Sequence, residues 1–227
     1  MAPKKKEEFA SDAQEDSPNL DTETLRPLDS GKDDSPDVRE QTVEDLLCEG
    51  MILGEAGKPQ EEIAVYDDID RRFGKDESPG VRERVAEALL FKGMTLGQQG
   101  KPRKEIAVYD DIDRRFGRDS SPGTREVVAK ALVGKGATLG EQGKTEEAIA
   151  VFDDIDCRFG QDESSGVREQ VASALLNKGI TLGEEGRIEE AIAIFDEIGQ
   201  RFGKDDSPDV RERVAKARDY KEYYSGR

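Results

Sequence analysis

VREQVASALLNKGITLGEEGRIEEAIAIFDEIGQRFG, residues 167–203, decides the fold. Val167, Val171, Leu175 and Leu182 are spaced by four, four and seven, which is one face of an α-helix. Gly186 interrupts the pattern. A second periodic run then follows through Ile188, Ala191, Ile192, Phe195, Ile198 and Phe202, and Gly203 ends it in the manner of a helix C-cap. The stretch therefore reads as a helical hairpin, with a helix A, a glycine turn and a helix B.

The hairpin is repeated. Phe73-Gly74, Phe116-Gly117, Phe159-Gly160 and Phe202-Gly203 recur every 43 residues. Val38-Arg39-Glu40, Val81-Arg82-Glu83, Thr124-Arg125-Glu126, Val167-Arg168-Glu169 and Val210-Arg211-Glu212 keep the same step. Four full units and a fifth half-unit result. Ser35-Pro36, Ser78-Pro79, Ser121-Pro122 and Ser207-Pro208 supply an N-cap residue followed by proline at the first helical position. No sustained alternation or Asn-Gly turn marks a strand.

Composition agrees with a thin, layered fold. Of 227 residues, 34% are hydrophobic and 38% charged, and the mean hydropathy is -0.79. That is too little apolar material for a thick core, but enough for stacked hairpins that each bury one face. The net charge of -17 repels nucleic acid and anionic lipid, and favours partners with basic patches. Histidine is absent, which removes the commonest general base and transition-metal ligand. Cys48 and Cys157 form no CxxC pair, so a reducing compartment, the cytoplasm, is expected, with both thiols buried as structural residues. No stretch is apolar enough to span a membrane. Residues 1–34 lack periodicity and are acidic. They read as a disordered leader ahead of the repeat domain at 35–227. Within the leader, Leu20, Leu25 and Leu28 could be a docking motif or part of an inert tail, and Lys4-Lys5-Lys6 an import signal or a solvated tail.

A period of 43 fits several helical repeat families. The signature residues resemble the tetratricopeptide repeat (TPR). The fourth unit reads Leu175, Gly179, Leu182, Gly186, Ala191, Phe195, and the third Leu132, Gly136, Leu139, Gly143, Ala148, Phe152. The first has Leu46, Gly50, Leu53, Gly57 and Tyr66; the second has Leu89, Gly93, Leu96, Gly100 and Tyr109. The alanine position holds Glu62 and Glu105 in those two units, where the neighbouring Ile63-Ala64 and Ile106-Ala107 are expected to re-register the contact. The resemblance implies an all-α, right-handed solenoid of antiparallel hairpins, four repeats plus a C-terminal capping helix. The period exceeds the usual 34 residues of that family, and the surplus falls around 74–80 and its equivalents. In the last half-unit, Tyr220, Tyr223 and Tyr224 either half-bury beneath a cap or contact a partner.

The resemblance also implies function: a non-enzymatic module with no cofactor, whose A helices line a concave groove. Transferred residue by residue, the groove positions are Leu47, Leu90, Val133 and Leu176; Met51, Met94, Ala137 and Ile180; Glu55, Gln98, Glu141 and Glu184; and Glu44, Glu87, Lys130 and Ser173. These describe an apolar stripe with acidic margins, unless some of them simply touch the neighbouring helix A. Leucine and methionine at 47 and 51 depart from the branch that clamps chaperone C-termini with lysine and asparagine. The implied partner is an apolar or amphipathic peptide or helix with basic flanks. Self-assembly into a homo-oligomeric scaffold is the competing reading.

The recurring Asp-Asp-Ile-Asp at 67–70, 110–113 and 153–156 is the one carboxylate cluster. A helix fans these side chains apart, whereas a cation cage needs convergent oxygens. Pairing of Asp67 with Arg71 and of Asp68 with Arg72 is expected instead, each worth roughly a few tenths of a kcal/mol. Gly136-Ala137-Thr138-Leu139-Gly140 lacks the strand and Lys-Ser/Thr of a phosphate loop.

Overall fold

A computed structural model describes residues 35–226, all within one compact unit, Asp34–Arg227. The leader, its leucines and the Lys4–Lys6 run lie outside the described residues. Nine α-helices make up the described part. The A helices are α1 (Pro36–Glu55), α3 (Pro79–Gln98), α5 (Pro122–Glu141), α7 (Ser165–Glu184) and α9 (Pro208–Ser225). The B helices are α2 (Pro59–Phe73), α4 (Pro102–Phe116), α6 (Thr145–Phe159) and α8 (Ile188–Phe202). Each unit joins a twenty-residue A helix and a fifteen-residue B helix by a three-residue turn, and a five-residue connector leads to the next unit.

The turns are set by Gly57, Gly100, Gly143 and Gly186, whose φ lies between 66° and 82°. An L side chain there is strained, so the chain reverses most easily at glycine. Gly203 and its equivalents cap the B helices, as expected, without adopting the left-handed conformation. Their φ is near -62°, and Gly74, Gly117 and Gly160 each offer a carbonyl to an arginine of the following unit.

Within each hairpin an aromatic ring of helix B lies on a glycine of helix A. A Cβ placed on Gly50 would sit 2.5 Å from Tyr66 Cε1, and one on Gly179 2.5 Å from Phe195 Cε1. The missing side chain is the reason the two helices can approach so closely. The rings of the first and last hairpins also reach the next helix A: Tyr66 lies 6.1 Å from Phe91, and Phe195 stacks on Tyr220 and Tyr224 of α9. Val167, Val171, Leu175, Leu182, Ala191, Phe195, Ile198 and Phe202 are all buried, so the core is one continuous seam along the array.

Ion pairs repeat along the same seam, and they correct the expected Asp67–Arg71 pairing. The first aspartate of each Asp-Asp-Ile-Asp reaches the next helix A, as in Asp67–Lys92 at 2.5 Å and Asp110–Lys135 at 2.6 Å. The second pairs within its helix, as in Asp68–Arg72 and Asp111–Arg115. The third meets an arginine of the next helix B: Asp70–Arg115, Asp113–Arg158 and Asp156–Arg201. The motif therefore joins units to one another. Each connector adds a further link, since Asp76 accepts from Arg39 and from the Ser78 amide. Asp119, Asp162 and Asp205 do the same with Arg82, Arg125 and Arg168.

Candidate functional site

Curvature follows from which helices touch. Consecutive A helices pack on one another, α1 on α3 through to α7 on α9, whereas among the described residues the backbones of consecutive B helices stay apart and meet only through long side chains such as Asp70–Arg115. Crowded A helices and spread B helices place the A helices on the inner side of the bend. The inner face is therefore where a partner could be held by several units at once.

Two depressions open on it. One, of about 600 Å³, lies between units 1 and 2, walled by Met51, Phe91 and Met94, with Glu55 and Glu62 as its only charged residues. The other, of about 290 Å³, runs across α3, α5 and α7, with Leu90, Val133 and Leu176 lining it beside Lys130 and Arg213. Met94 borders both, so they adjoin. Met51 and Met94 are 48% and 40% exposed, unusual for methionine in so polar a chain.

The proposed groove positions thus divide. Leu47, Leu90 and Leu176 are buried, and Val133 is half-buried against the core; they are floor, not open surface. Ala137 and Ile180 are half-buried. Met51, Met94, Glu55, Gln98, Glu141 and Glu184 are exposed. The reason is rotational: each step of four residues turns the position about 40° around the helix. The row one step N-terminal of Met51 accordingly faces its neighbour, and the row one step C-terminal faces solvent. The depressions gather Met51, Glu55, Met94 and Gln98 in the first, and Leu90, Met94, Val133 and Leu176 in the second. Leu47, Ala137, Glu141 and Ile180 stand outside both. Glu184 borders a third depression with Tyr220, Tyr223 and Tyr224 of α9. Of these tyrosines Tyr224 is buried, while Tyr223 is largely exposed.

Glu62 was expected to be displaced from the alanine position by Ile63-Ala64. It is not displaced. It is buried at that position, where Oε1 accepts hydrogen bonds from Thr95 Oγ1 at 2.8 Å and from Tyr66 OH at 3.3 Å. Glu105 repeats the arrangement with Thr138 and Tyr109. Burial pushes its carboxyl above the usual range; bonds from Thr138 and Tyr109 oppose the shift and nearby Glu141 adds to it. Burial, with the carboxylate alongside, pushes the Tyr66 and Tyr109 phenols up. Glu62, Tyr66, Phe91 and Thr95 are the site residues that transferred groove positions miss. The available signal was that glutamate replaces alanine only in the two units where tyrosine replaces phenylalanine.

The expectation of buried thiols is also corrected: Cys48 and Cys157 are free and exposed. Cys157 occupies the position of Arg71 and Arg114 on the outer helix, and Cys48 lies on α1, where no preceding unit is described. Among the described residues no group of three or more Cys, Asp or Glu is arranged to hold a metal, and no helix is long and apolar enough to cross a membrane.

No protein-family model and no curated protein matches the chain. Solved structures do. A tetratricopeptide repeat protein from Parabacteroides merdae shares the fold with a TM-score of 0.54 at 16% identity, over 82% of this chain and 62% of that one. The fold is TPR-like. A MamA RS-1 ArsTM double mutant gives a TM-score of 0.50 at 15% identity, over 83% and 98% of the two chains. A Podosopora anserina kinesin light chain protein with nearly identical TPR-like repeats gives 0.56 at 9% identity, over 83% and 92%. The chain spans less than two thirds of the Parabacteroides protein. At these identities the TPR likeness establishes the fold.

Proposed function

We propose that this TPR-like array is a non-enzymatic adaptor in the cytoplasm that holds an apolar or amphipathic protein segment with basic flanks on its inner face. The observation that carries the reading is the pair of exposed methionines, Met51 and Met94, side by side along adjoining depressions of the A helices. Methionine adapts its shape to varied apolar surfaces at little cost. The net charge of -17 and the Glu55 margin favour a partner with basic flanks and disfavour nucleic acid. Free, exposed Cys48 and Cys157 suit a reducing compartment.

Self-assembly end to end has less support. Where α7 presents Leu175, Gly179 and Leu182 to its own helix B, α9 presents the exposed Arg218, Glu222 and Ser225. That face cannot pack a further B helix in the same way. The test is affinity capture from native lysate with wild type and the Met51→Glu/Met94→Glu variant, alongside light scattering of the pure protein. Leu47 is unsuitable for this purpose because its burial would confound binding with folding. A partner retained by wild type and lost by the variant supports the adaptor. Mass that grows with concentration, with no other protein captured, replaces it with the scaffold.

A further inference from the structure

We infer that the depression between units 1 and 2 is a pocket for one basic side chain, arginine or lysine, of the bound segment. This rests on the groove reading and makes it specific. Glu62 is about nine-tenths buried, and both of its donors, Thr95 and Tyr66, bond the same oxygen, Oε1. Among the described residues Oε2 receives no hydrogen bond, although Glu62 lines the depression. A carboxylate oxygen with no donor from the chain, at the wall of the depression, offers a charge-assisted bond to a cation entering the pocket. Met51, Met94 and Phe91 offer apolar walls to the methylene stem of such a side chain. Glu55 on the rim adds charge of the same sign, and no lysine or arginine of the chain lines the pocket. Gly54 keeps the carboxylate accessible, since a Cβ there would lie 3.0 Å from both Glu62 oxygens. The third and fourth units carry Ala148 and Ala191 in place of the glutamate, so they have no equivalent carboxylate.

The two described methionines, Met51 and Met94, both line the pocket, so methyl-13C-methionine labelling of the full chain gives two reporters in its walls. The probes are n-butylguanidinium and n-butylammonium, with n-pentanol as the neutral analogue. Saturable shifts of the Met51 and Met94 signals are expected with the cations, with n-pentanol clearly weaker. Glu62→Gln should weaken cation binding about tenfold, the loss of one charge-assisted contact. Glu105→Gln, in the next unit, should leave it unchanged. If Glu62→Gln loses its helical circular dichroism, Gly54→Ala serves instead, because it obstructs the same carboxylate. Equal responses to cation and pentanol, or cation affinity indifferent to these variants, overturn the basic-side-chain pocket while leaving the apolar groove intact. No response to any probe also overturns the pocket, and the groove is then judged by partner capture alone.

Discussion

The first two units and the last two build the same hairpin contact from different chemistry. In units 3 and 4, Phe152 and Phe195 lie on glycine beside Ala148 and Ala191, and the contact is wholly apolar. In units 1 and 2, Tyr66 and Tyr109 lie on the same glycine positions, with Glu62 and Glu105 one turn earlier on helix B and a threonine of the next helix A, Thr95 or Thr138, as the second donor. The two residue changes belong together: a carboxylate at the small position needs the phenol hydroxyl, and a phenol buried there needs an acceptor. The TPR-like backbone tolerates either solution, so the difference is available for function, and it puts carboxylates in the half of the array that carries both exposed methionines.

Removing the ring should have the largest effect. Phe152→Ala should cost about 3–5 kcal/mol in urea unfolding. Tyr109→Ala should cost at least as much, because it also strands Glu105; a clearly smaller loss would mean that the polar arrangement contributes no cohesion. Transplantation sharpens the comparison. Ala148→Glu introduces a carboxylate near Thr181 and Gly140 without a phenol, and should cost roughly 1–3 kcal/mol. Adding Phe152→Tyr should recover about 1 kcal/mol of it, a coupling read from a double-mutant cycle. Additive losses would show that the pairing of glutamate with tyrosine is incidental.

Arg115→Ala, which removes bonds to Asp70, Asp111 and the Gly74 carbonyl and a ring contact 5.0 Å from Phe116, should cost about 1–2 kcal/mol. The smallest effect is on pH dependence. Glu105 binds its proton more tightly folded than unfolded, so its contribution favours the fold at acid pH and is lost as pH rises past the ordinary glutamate range. Glu105→Gln should remove that decline. At Asp76, Asp119 and Asp162 burial opposes ionisation, but bonds from the serine amide two residues on and from an arginine outweigh it. At Asp205 the Arg168 bond is the largest influence, ahead of the opposing effect of burial. All four are held below the usual carboxylate range. Their contribution is therefore present above it and lost as pH falls through it, in the wild type and in Glu105→Gln alike.

The hairpins, their order and the glycine–aromatic contacts were legible because a strict 43-residue period aligns equivalent positions and Gly57, Gly100, Gly143 and Gly186 mark each turn. The partners of Asp67 and Asp70 were not. They depend on where the next unit lies, which local i,i+4 spacing cannot supply. That Leu47, Leu90 and Leu176 are buried rather than open surface was not legible, because one step along the groove rows turns them toward the neighbouring helix. The exposure of Cys157 could have been read from register, since arginine holds its position in the first two units.

The central claim is that binding is concentrated on the methionine-bearing half of the inner face. Isothermal titration of a captured partner segment against wild type, Met51→Glu/Met94→Glu and Ala137→Glu/Ile180→Glu tests it most directly. The account predicts at least tenfold weaker binding for the methionine variant, about 1.4 kcal/mol, and a smaller loss for the other. Equal losses, or a larger one from Ala137→Glu/Ile180→Glu, would contradict it.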